Sequence, residues 1–319
     1  MKSTTARVLI TSEDDEDRFL PEGPRAVRVG GREALIWVNI QTAANATRGA
    51  IHGYFFDDGE LCMWNLPARP GFVLPTDKPD VVFLGLEKEL GTLDLESNEF
   101  RAIAKLPDIS HRTIINDGEV APGGREVVFG TKDLKFEAQI AALYLYALTD
   151  GSLSVLAPRQ TCSNGKVFTR DARGPVLLDI DTPTRKVVKY RREVGVKTAT
   201  ADGVALDLSN EPGFPDGMCD CGDGTVIVAF YNPDPIPAGR AVRYDLATGN
   251  AVEEWTTPGS PRVTCPALVQ RPDGVKLILT TATEGMPADQ REKCPEAGNL
   301  FIADTDLKTC PPVEFLQLG

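Results

Sequence analysis

Four short stretches each place an oxygen-bearing side chain beside glycine or proline at the end of an apolar run. The stretches are PEGPRAV, INDGEVAPGG, CSNGKVF and FPDGMCD, and the side chains are those of Glu22, Asn116, Asn164 and Asp216. Carboxylate and amide oxygens are the ligands that hard divalent cations prefer. Each stretch alone also fits ordinary turn chemistry, since Asn and Asp tolerate left-handed backbone and glycine supplies it. A shared metal site therefore requires a fold that brings the four together.

Most of the chain consists of short β-branched or aromatic runs closed by turn residues, a pattern typical of β-strands. Clear examples are ALIWVNI, DVVFLGL, AALYLYAL, TVIVAFY and KLILTTA. The best helical candidate is KDLKFEAQIAA, with a loop leading into LYLYAL as the alternative. The sequence therefore predicts a mostly antiparallel, all-β protein.

A weak internal repeat joins these strands in pairs across small-residue turns. Its members are GTLDLESNEF, LYLYALTDGSLSVL, LLDIDTPTRKVVKY and VRYDLATGNAVEEW, with LFIADTDLKT near the carboxyl end. Hairpins that recur in this way build the four-stranded blades of a β-propeller, whose closed array protects its sheet edges. Six blades would take about 53 residues each, although the period alone does not distinguish six blades from seven.

Charge and composition exclude several classes of partner. The 46 acidic and 34 basic residues give a net charge of −12, which argues against nucleic acid and anionic membrane surfaces. No run of 18 apolar residues occurs, and the first residues, MKSTTARVLITSEDDEDRF, lack the features of a secretory signal. We therefore expect a cytoplasmic protein whose seven scattered cysteines are reduced.

The sequence contains few residues suited to other kinds of site. Cys219 and Cys221 form a C-x-C, and Cys162 lies near Asn164, but structural zinc usually takes two such pairs or added histidines. The chain has two histidines, His52 and His111, which also disfavours a Ser-His-Asp triad. The acidic run SEDDEDRF lacks the glycine and closing glutamate of a calcium-binding loop and is expected to be solvated.

The order of the four stretches resembles the senescence-marker-protein, gluconolactonase and luciferin-regenerating-enzyme-like family. EGP is followed by WVNI, NDG by GGR and GT, SNG by DTPTR, and PDGM by VRYDLATG, over roughly residues 22–303. This resemblance implies a six-bladed propeller with one divalent cation in its central channel. Calcium is the expected ion, with magnesium, manganese and zinc as alternatives.

The resemblance also implies roles for individual residues. Glu22, Asn164 and Asp216 match the family's cation ligands, and Asn116 matches an asparagine that contacts the substrate or a water held by the cation. The usual reaction is hydrolysis of a lactone or related ester. Asp216 is then the candidate general base, because a ligand carboxylate lies within reach of the attacking water.

Two departures from the family pattern affect the expected substrate. Ile114 stands where sugar-lactonase members carry arginine, and it cannot make the forked hydrogen bonds by which arginine holds hydroxyls or carboxylates; the nearest arginine is Arg112. In the loop after GT, Asp133 or Glu137 is expected to supply the acidic substrate contact. Both changes leave open a different lactone, an aryl ester or a phosphotriester-like substrate.

We therefore expect one six-bladed propeller domain over residues 1–319, with residues 1–18 as a solvated amino-terminal segment. The expected activity is metal-dependent hydrolysis of a small lactone or ester. The alternative is a noncatalytic propeller that binds calcium or a protein partner, since propellers host both roles. The sequence does not predict an oligomeric state.

Overall fold

The computed structural model describes residues 1–107, 110–193 and 195–319. Its strands form six sheets, antiparallel except for one parallel pairing at an outer edge, and the innermost strand of each sheet packs against the innermost strands of its two neighbours. This closed ring of six sheets is a six-bladed β-propeller, so the predicted fold class is confirmed. Among the described residues, no helix is long and apolar enough to cross a membrane.

The first three blades follow one another along the chain, and each runs from its inner strand outward. Blade 1 contains β3 (Pro21–Val29), β4 (Arg32–Asn39), β5 (Ala50–Phe55) and β6 (Leu61–Asn65). Blade 2 contains β7 (Pro70–Pro75), β8 (Val81–Leu86), β9 (Glu89–Asp94) and β10 (Glu99–Lys105). Blade 3 contains β11 (Thr113–Val120), β12 (Glu126–Asp133), β13 (Ala141–Ala147) and β14 (Ser152–Gln160).

The last three blades complete the ring with help from the amino-terminal strands. Blade 4 contains β15 (Ser163–Asp171), β16 (Gly174–Asp181), β17 (Lys186–Arg191) and β18 (Thr200–Asp207). Blade 5 contains β19 (Phe214–Asp220), β20 (Thr225–Tyr231), β21 (Ala238–Asp245), β22 (Ala251–Pro258) and β1 (Lys2–Thr5). Blade 6 contains β23 (Val263–Arg271), β24 (Gly274–Thr281), β25 (Leu300–Asp304) and β2 (Arg7–Ile10).

The amino-terminal residues are part of the propeller. β1 pairs in parallel with β22, and β2 pairs antiparallel with β25 as the outer strand of blade 6. The prediction that residues 1–18 form a solvated segment is therefore wrong for the two strands. It fails because the partner strands lie near the other end of the chain, where no local sequence pattern reveals them. The predicted terminal hairpin LFIADTDLKT is likewise only β25, since its partner is β2.

Little of the described chain is helical. The short helix α1 (Ala288–Lys293) lies between β24 and β25, and a single 3-10 turn covers Thr182–Thr184. The candidate helix KDLKFEAQIAA is wrong: its first two residues end β12, residues 134–140 form a loop, and Ala141 begins β13. The loop alternative holds because the apolar residues that follow are needed in the buried strand β13.

The core consists of apolar side chains packed between neighbouring blades. Phe72 of blade 2 packs against Phe83 of its own blade and Phe129 of blade 3, and all three are fully buried. Burying a side chain of this size contributes about 1.5–3 kcal/mol. The carboxyl-terminal tail adds Leu316, which is fully buried and whose backbone N–H donates to the carbonyl of Pro75. The tail thus ties itself to blade 2.

Candidate functional site

The inner strand of every blade is interrupted by a register shift near its start. The shifts fall between Glu22 and Arg25, Pro70 and Phe72, Ile115 and Gly118, Asn164 and Val167, Pro215 and Met218, and Val263 and Pro266. A β-bulge adds a residue to one strand and re-aims its side chains. Four of the six bulges carry the motifs EGP, NDG, SNG and PDG, so these motifs are strand irregularities facing the channel.

Glycine is required within two of these bulges by close backbone approach. Gly165 has φ +44°, and a Cβ there would lie 2.8 Å from the carbonyl oxygen of Asp216. A Cβ on Gly217 would lie 2.5 Å from Sγ and 2.8 Å from Cα of Cys265. The glycine after each candidate ligand therefore lets adjacent inner strands come close enough to present Asn164 and Asp216 to one space.

A cavity of about 410 Å³ contains all four candidate side chains, Glu22, Asn116, Asn164 and Asp216. They come from blades 1, 3, 4 and 5. Its other lining residues are Leu20, Ile40, Lys132, Phe136, Cys162, Thr182, Pro183, Phe214, Tyr231, Pro233 and Glu284. The fold therefore brings together residues that are up to 194 positions apart. Turn residues that served only their own turns would have no reason to meet in one cavity.

A chain of hydrogen bonds fixes the amide side of this cavity. Asn116 donates from Nδ2 to Oδ1 of Asn164 over 2.6 Å and to the carbonyl of Ser163 over 3.1 Å. Asn164 donates in turn to Oγ1 of Thr182 over 2.9 Å, and that hydroxyl donates to the carbonyl of Pro215 over 3.0 Å. The chain of bonds runs from blade 3 through blade 4 to Pro215 of blade 5, so it links Asn116 and Asn164 to the residue beside Asp216.

The two carboxylates are held with few hydrogen-bond donors. Glu22 accepts one bond, from the backbone N–H of Gly23 over 3.1 Å, and Asp216 accepts none from the described residues. Burial raises the pKa of Glu22 well above its usual value, and the negative charges of Asp216 and Asp117 add to the effect. Burial also raises the pKa of Asp216, against the attraction of Lys132. Two buried carboxylates that repel each other favour the binding of a cation, because its positive charge would offset theirs.

The donor set fits a hard divalent cation. Glu22 and Asp216 supply carboxylate oxygens and Asn164 supplies an amide oxygen, the ligand types that calcium and magnesium favour. No cluster of three His, Cys, Asp or Glu side chains suited to a metal occurs among the described residues, so the set depends on the asparagine. The thiols do not add to it. Cys219 lines a second cavity further along the inner strands, and although Cys162 lines this cavity, burial raises the pKa of its thiol and so keeps it protonated.

Asp133 does not join the other candidate residues. It is fully buried and does not line the cavity; its carboxylate accepts hydrogen bonds from Arg112 and from the backbone N–H groups of Lys135, Glu137 and Ala138. Burial opposes its ionisation, but these bonds prevail and lower its pKa to about 2. In this structure Asp133 organises the loop after β12, where the sequence suggested a substrate contact.

The arginine expected near Asn116 has no substitute at its own position. Ile114 is 2% exposed and does not line the cavity, and Arg112 is paired with Asp133. In the β11–β12 register, however, Ile114 lies opposite Lys132, whose side chain does line the cavity. A positive charge therefore reaches the cavity from the neighbouring strand.

Three cavity residues were not predicted as site residues. Lys132, Thr182 and Glu284 lie on blades 3, 4 and 6 and line the cavity with the predicted four. Lys132 directly follows the GT motif and Thr182 directly follows the strand that ends in Asp181, so both had a motif nearby. Glu284 follows β24 in a segment with no comparable signal.

The upper wall of the cavity is apolar and partly aromatic. Phe136 and Phe214 are 49% and 38% exposed, unusually high for phenylalanine, and Arg185 stacks on the Phe214 ring 4.6 Å from its centre. Tyr231, the third aromatic residue of the wall, donates its hydroxyl to the carbonyl of Glu284. The cavity lining thus combines charged groups with apolar side chains that can cover an apolar group of a ligand.

Sequence comparison places this chain in a known family. The family described as the SMP-30/gluconolactonase/LRE-like region matches residues 20–283. YvrE of Bacillus subtilis, assigned as a sugar lactone lactonase, is 29% identical over 305 residues, covering 95% of this chain and 97% of that protein. L-arabinolactonase of Azospirillum brasilense is 30% identical over 276 residues, covering 85% of this chain and 84% of that protein.

A solved structure shares this fold. The crystal structure of regucalcin from Agrobacterium tumefaciens, titled a calcium-binding protein, matches with a TM-score of 0.82 at 22% identity and covers 98% of both chains. The resemblance inferred from the four motifs is confirmed by the family match. This chain belongs to the SMP-30/gluconolactonase/LRE-like family.

Proposed function

We propose that the protein hydrolyses a small lactone or ester with the help of one divalent cation. The observation that carries this proposal is the convergence of Glu22, Asn116, Asn164 and Asp216 in one cavity with an apolar wall. The relatives named as lactonases support the reaction class. Calcium is the proposed ion, because the ligands are oxygens and a solved relative is named as a calcium-binding protein.

Glu22, Asp216 and Asn164 would hold the cation. When bound, it would supply a Lewis acid that polarises the scissile carbonyl and makes water more acidic. Glu22 and Asp216 provide the negative charge that retains it, and the bond from Asn116 orients the Asn164 oxygen. These contacts come from separate blades, so binding of the ion would also tie blades 1, 4 and 5 together.

Asp216 is the proposed general base and would take the proton of the attacking water on its carboxylate. It lies in the same cavity as the other proposed cation ligands, so its carboxylate would be within reach of a water held there. Asn116 uses both Nδ2 hydrogens within the protein, and its Oδ1 accepts no hydrogen bond from the described residues. That oxygen is therefore the one we assign to a substrate hydroxyl or to the water.

The apolar wall bears on the substrate. Sugar lactones expose hydroxyl groups that need partners, whereas Phe136, Phe214 and Pro183 offer none. Together with Ile114 in place of an arginine, the wall favours testing aliphatic and aromatic lactones and aryl esters beside the sugar lactones. A phosphotriester belongs in the same panel, because a cation and a general base would also serve its hydrolysis.

The test is a turnover assay on this panel with metal-stripped protein, to which calcium, magnesium, manganese or zinc is added back. Turnover that depends on the cation and disappears in Asp216→Ala is the expected result. A protein that binds calcium tightly yet turns over no substrate would favour the second candidate, a noncatalytic calcium-binding propeller, which the name of the solved relative supports.

A further inference from the structure

Lys132 is a buried cation in the cavity without a partner in contact. The residue is 6% exposed and lines the cavity, and its side chain forms no ion pair or hydrogen bond with any described residue. It is the last but one residue of β12, where the backbone bridges to Cys162 of blade 4. Its position is therefore fixed by two blades.

A buried ammonium group is costly unless an anion lies near it. Its attraction lowers the pKa of both Glu22 and Asp216, against the dominant effect of burial. Those carboxylates are also the proposed cation ligands, and a divalent cation would neutralise their two charges. Lys132 would then face the occupied site with no negative charge left to balance it.

The remaining acid of the cavity does not fill this role. Glu284 lies on blade 6, and Lys132 lies on blade 3, three blades away around a ring of six. The charge that Glu284 exerts acts on Asp216 and on Tyr231 of blade 5. The cavity therefore has an acidic side at blade 6 and a basic side at blade 3, with the cation site between them.

We propose that Lys132 binds an acidic group of the substrate, so that the cavity selects lactones or esters carrying a carboxylate over their neutral analogues. This inference rests on the proposed function and adds a substrate class to it. The absence of an arginine at position 114 agrees with this inference. The positive charge comes instead from Lys132, which lies opposite Ile114 in the sheet. A lysine is a compact point charge, which suits a carboxylate but not the forked recognition of sugar hydroxyls.

The kinetic test uses Lys132→Met, which keeps the length of the side chain and removes its charge. The matched control is Lys135→Met, because Lys135 is exposed in the loop that follows β12 and does not line the cavity. The substrates are γ-butyrolactone-γ-carboxylate and its neutral carboxamide. At saturating calcium, we expect KM for the carboxylate to rise about 10- to 100-fold in Lys132→Met, with a much smaller change in KM for the carboxamide and the control like wild type.

A binding test separates this inference from the proposed function. Cyclopentanecarboxylate and cyclopentanecarboxamide have the ring but no ester, so calorimetry can compare them even if no lactone is turned over. We expect the wild-type, calcium-loaded protein to prefer the carboxylate by about 10-fold or more and Lys132→Met to lose that preference.

Three outcomes would overturn the inference. The first is a carboxylate preference that persists in Lys132→Met, which would assign it to the cation. The second is a fall in kcat on both lactones alike, which would make Lys132 a group acting on the reacting carbonyl. The third is tighter calcium binding in Lys132→Met without any change for the carboxylate, which would make Lys132 a substitute for the cation. Turnover by a wild-type protein that does not prefer the carboxylate to the carboxamide would also overturn the inference, but it would leave the proposed function standing.

Discussion

The side chains of Asn116 and Asn164 are joined by a hydrogen bond of 2.6 Å, from Nδ2 of the first to Oδ1 of the second. The bond connects the inner strands of blades 3 and 4, and both residues are at least nine-tenths buried. In the proposed function, Asn116 would therefore act on the cation through Asn164 as well as facing the substrate. The two functions should therefore fail to different extents when Asn116 is changed.

Replacing Asn116 by alanine tests this relationship. We expect kcat/KM to fall by about 100-fold or more, and the cation dissociation constant to rise by about 10-fold, because a group that orients a ligand typically changes metal affinity by 10–100-fold. Calorimetry with calcium and a turnover assay measure the two effects. Asn250→Ala, in an exposed turn, is the control. Unchanged calcium affinity would show that the bond to Asn164 does not orient the ligand.

Replacing Asp216 by alanine should abolish both cation binding and hydrolysis while the propeller stays folded. Asp216 is one of only two carboxylates in the proposed ligand set, so we expect calcium affinity to fall by at least about 100-fold. The control is Asp220→Ala, since Asp220 lies at the end of the same strand and lines the other cavity. Retained turnover in Asp216→Ala would remove Asp216 from the mechanism.

Thr182 is expected to matter although it is not a ligand. Its hydroxyl accepts from Asn164 and donates to the carbonyl of Pro215, so Thr182→Val removes one hydrogen bond from each of two buried polar groups. We expect a loss of about 1–3 kcal/mol in the free energy of unfolding together with weaker calcium binding. Urea denaturation and calorimetry measure these. Thr200→Val, at an exposed strand position, should change neither, and a stable Thr182→Val with normal affinity would contradict the role of the chain of hydrogen bonds.

The stability provided by Asp133 should depend on pH. Its pKa in the folded protein, about 2, is below the usual 3.8, so its contribution is fully present above pH 3.8 and is lost as the pH falls through about 2. Asp133→Asn should therefore be less stable than wild type at pH 7, by about 1–3 kcal/mol, and the difference should shrink towards pH 2. Denaturant midpoints of both proteins across this range test it. A gap that is constant with pH would show that the carboxylate charge is not what holds the loop.

Local patterns predicted the blades well because each hairpin carries its own strand period and turn. LLDIDTPTRKVVKY contains β16, the turn and β17, and all the information for that hairpin lies within it. The four motif residues were also recoverable, since each lies at a bulge that needs glycine or proline beside it. The resemblance to the family supplied what the pattern lacked, namely that the four bulges face one channel.

Features that depend on register or on distant partners were not predictable in this way. Asp133 has the residue type of a substrate contact, but its carboxylate accepts from Arg112, 21 positions earlier, and it does not line the cavity. In the sequence, Lys132 is an ordinary polar residue at the end of a strand. Its place in the cavity follows from the register opposite Ile114 and from the bridge to Cys162. Neither relationship has a signal in the adjacent sequence.

The pairing of β2 with β25 also has a consequence for the order of folding. Residues 7–10 can pair with residues 300–304 only after nearly 300 further residues have been synthesised, so blade 6 cannot be completed before then. Until then the growing chain carries an open arc of blades with unpaired strand edges at both ends, which are surfaces prone to association. Closure over so long a separation is slow. We therefore expect the joining of these two strands to be the last and slowest step by which the nascent protein becomes native.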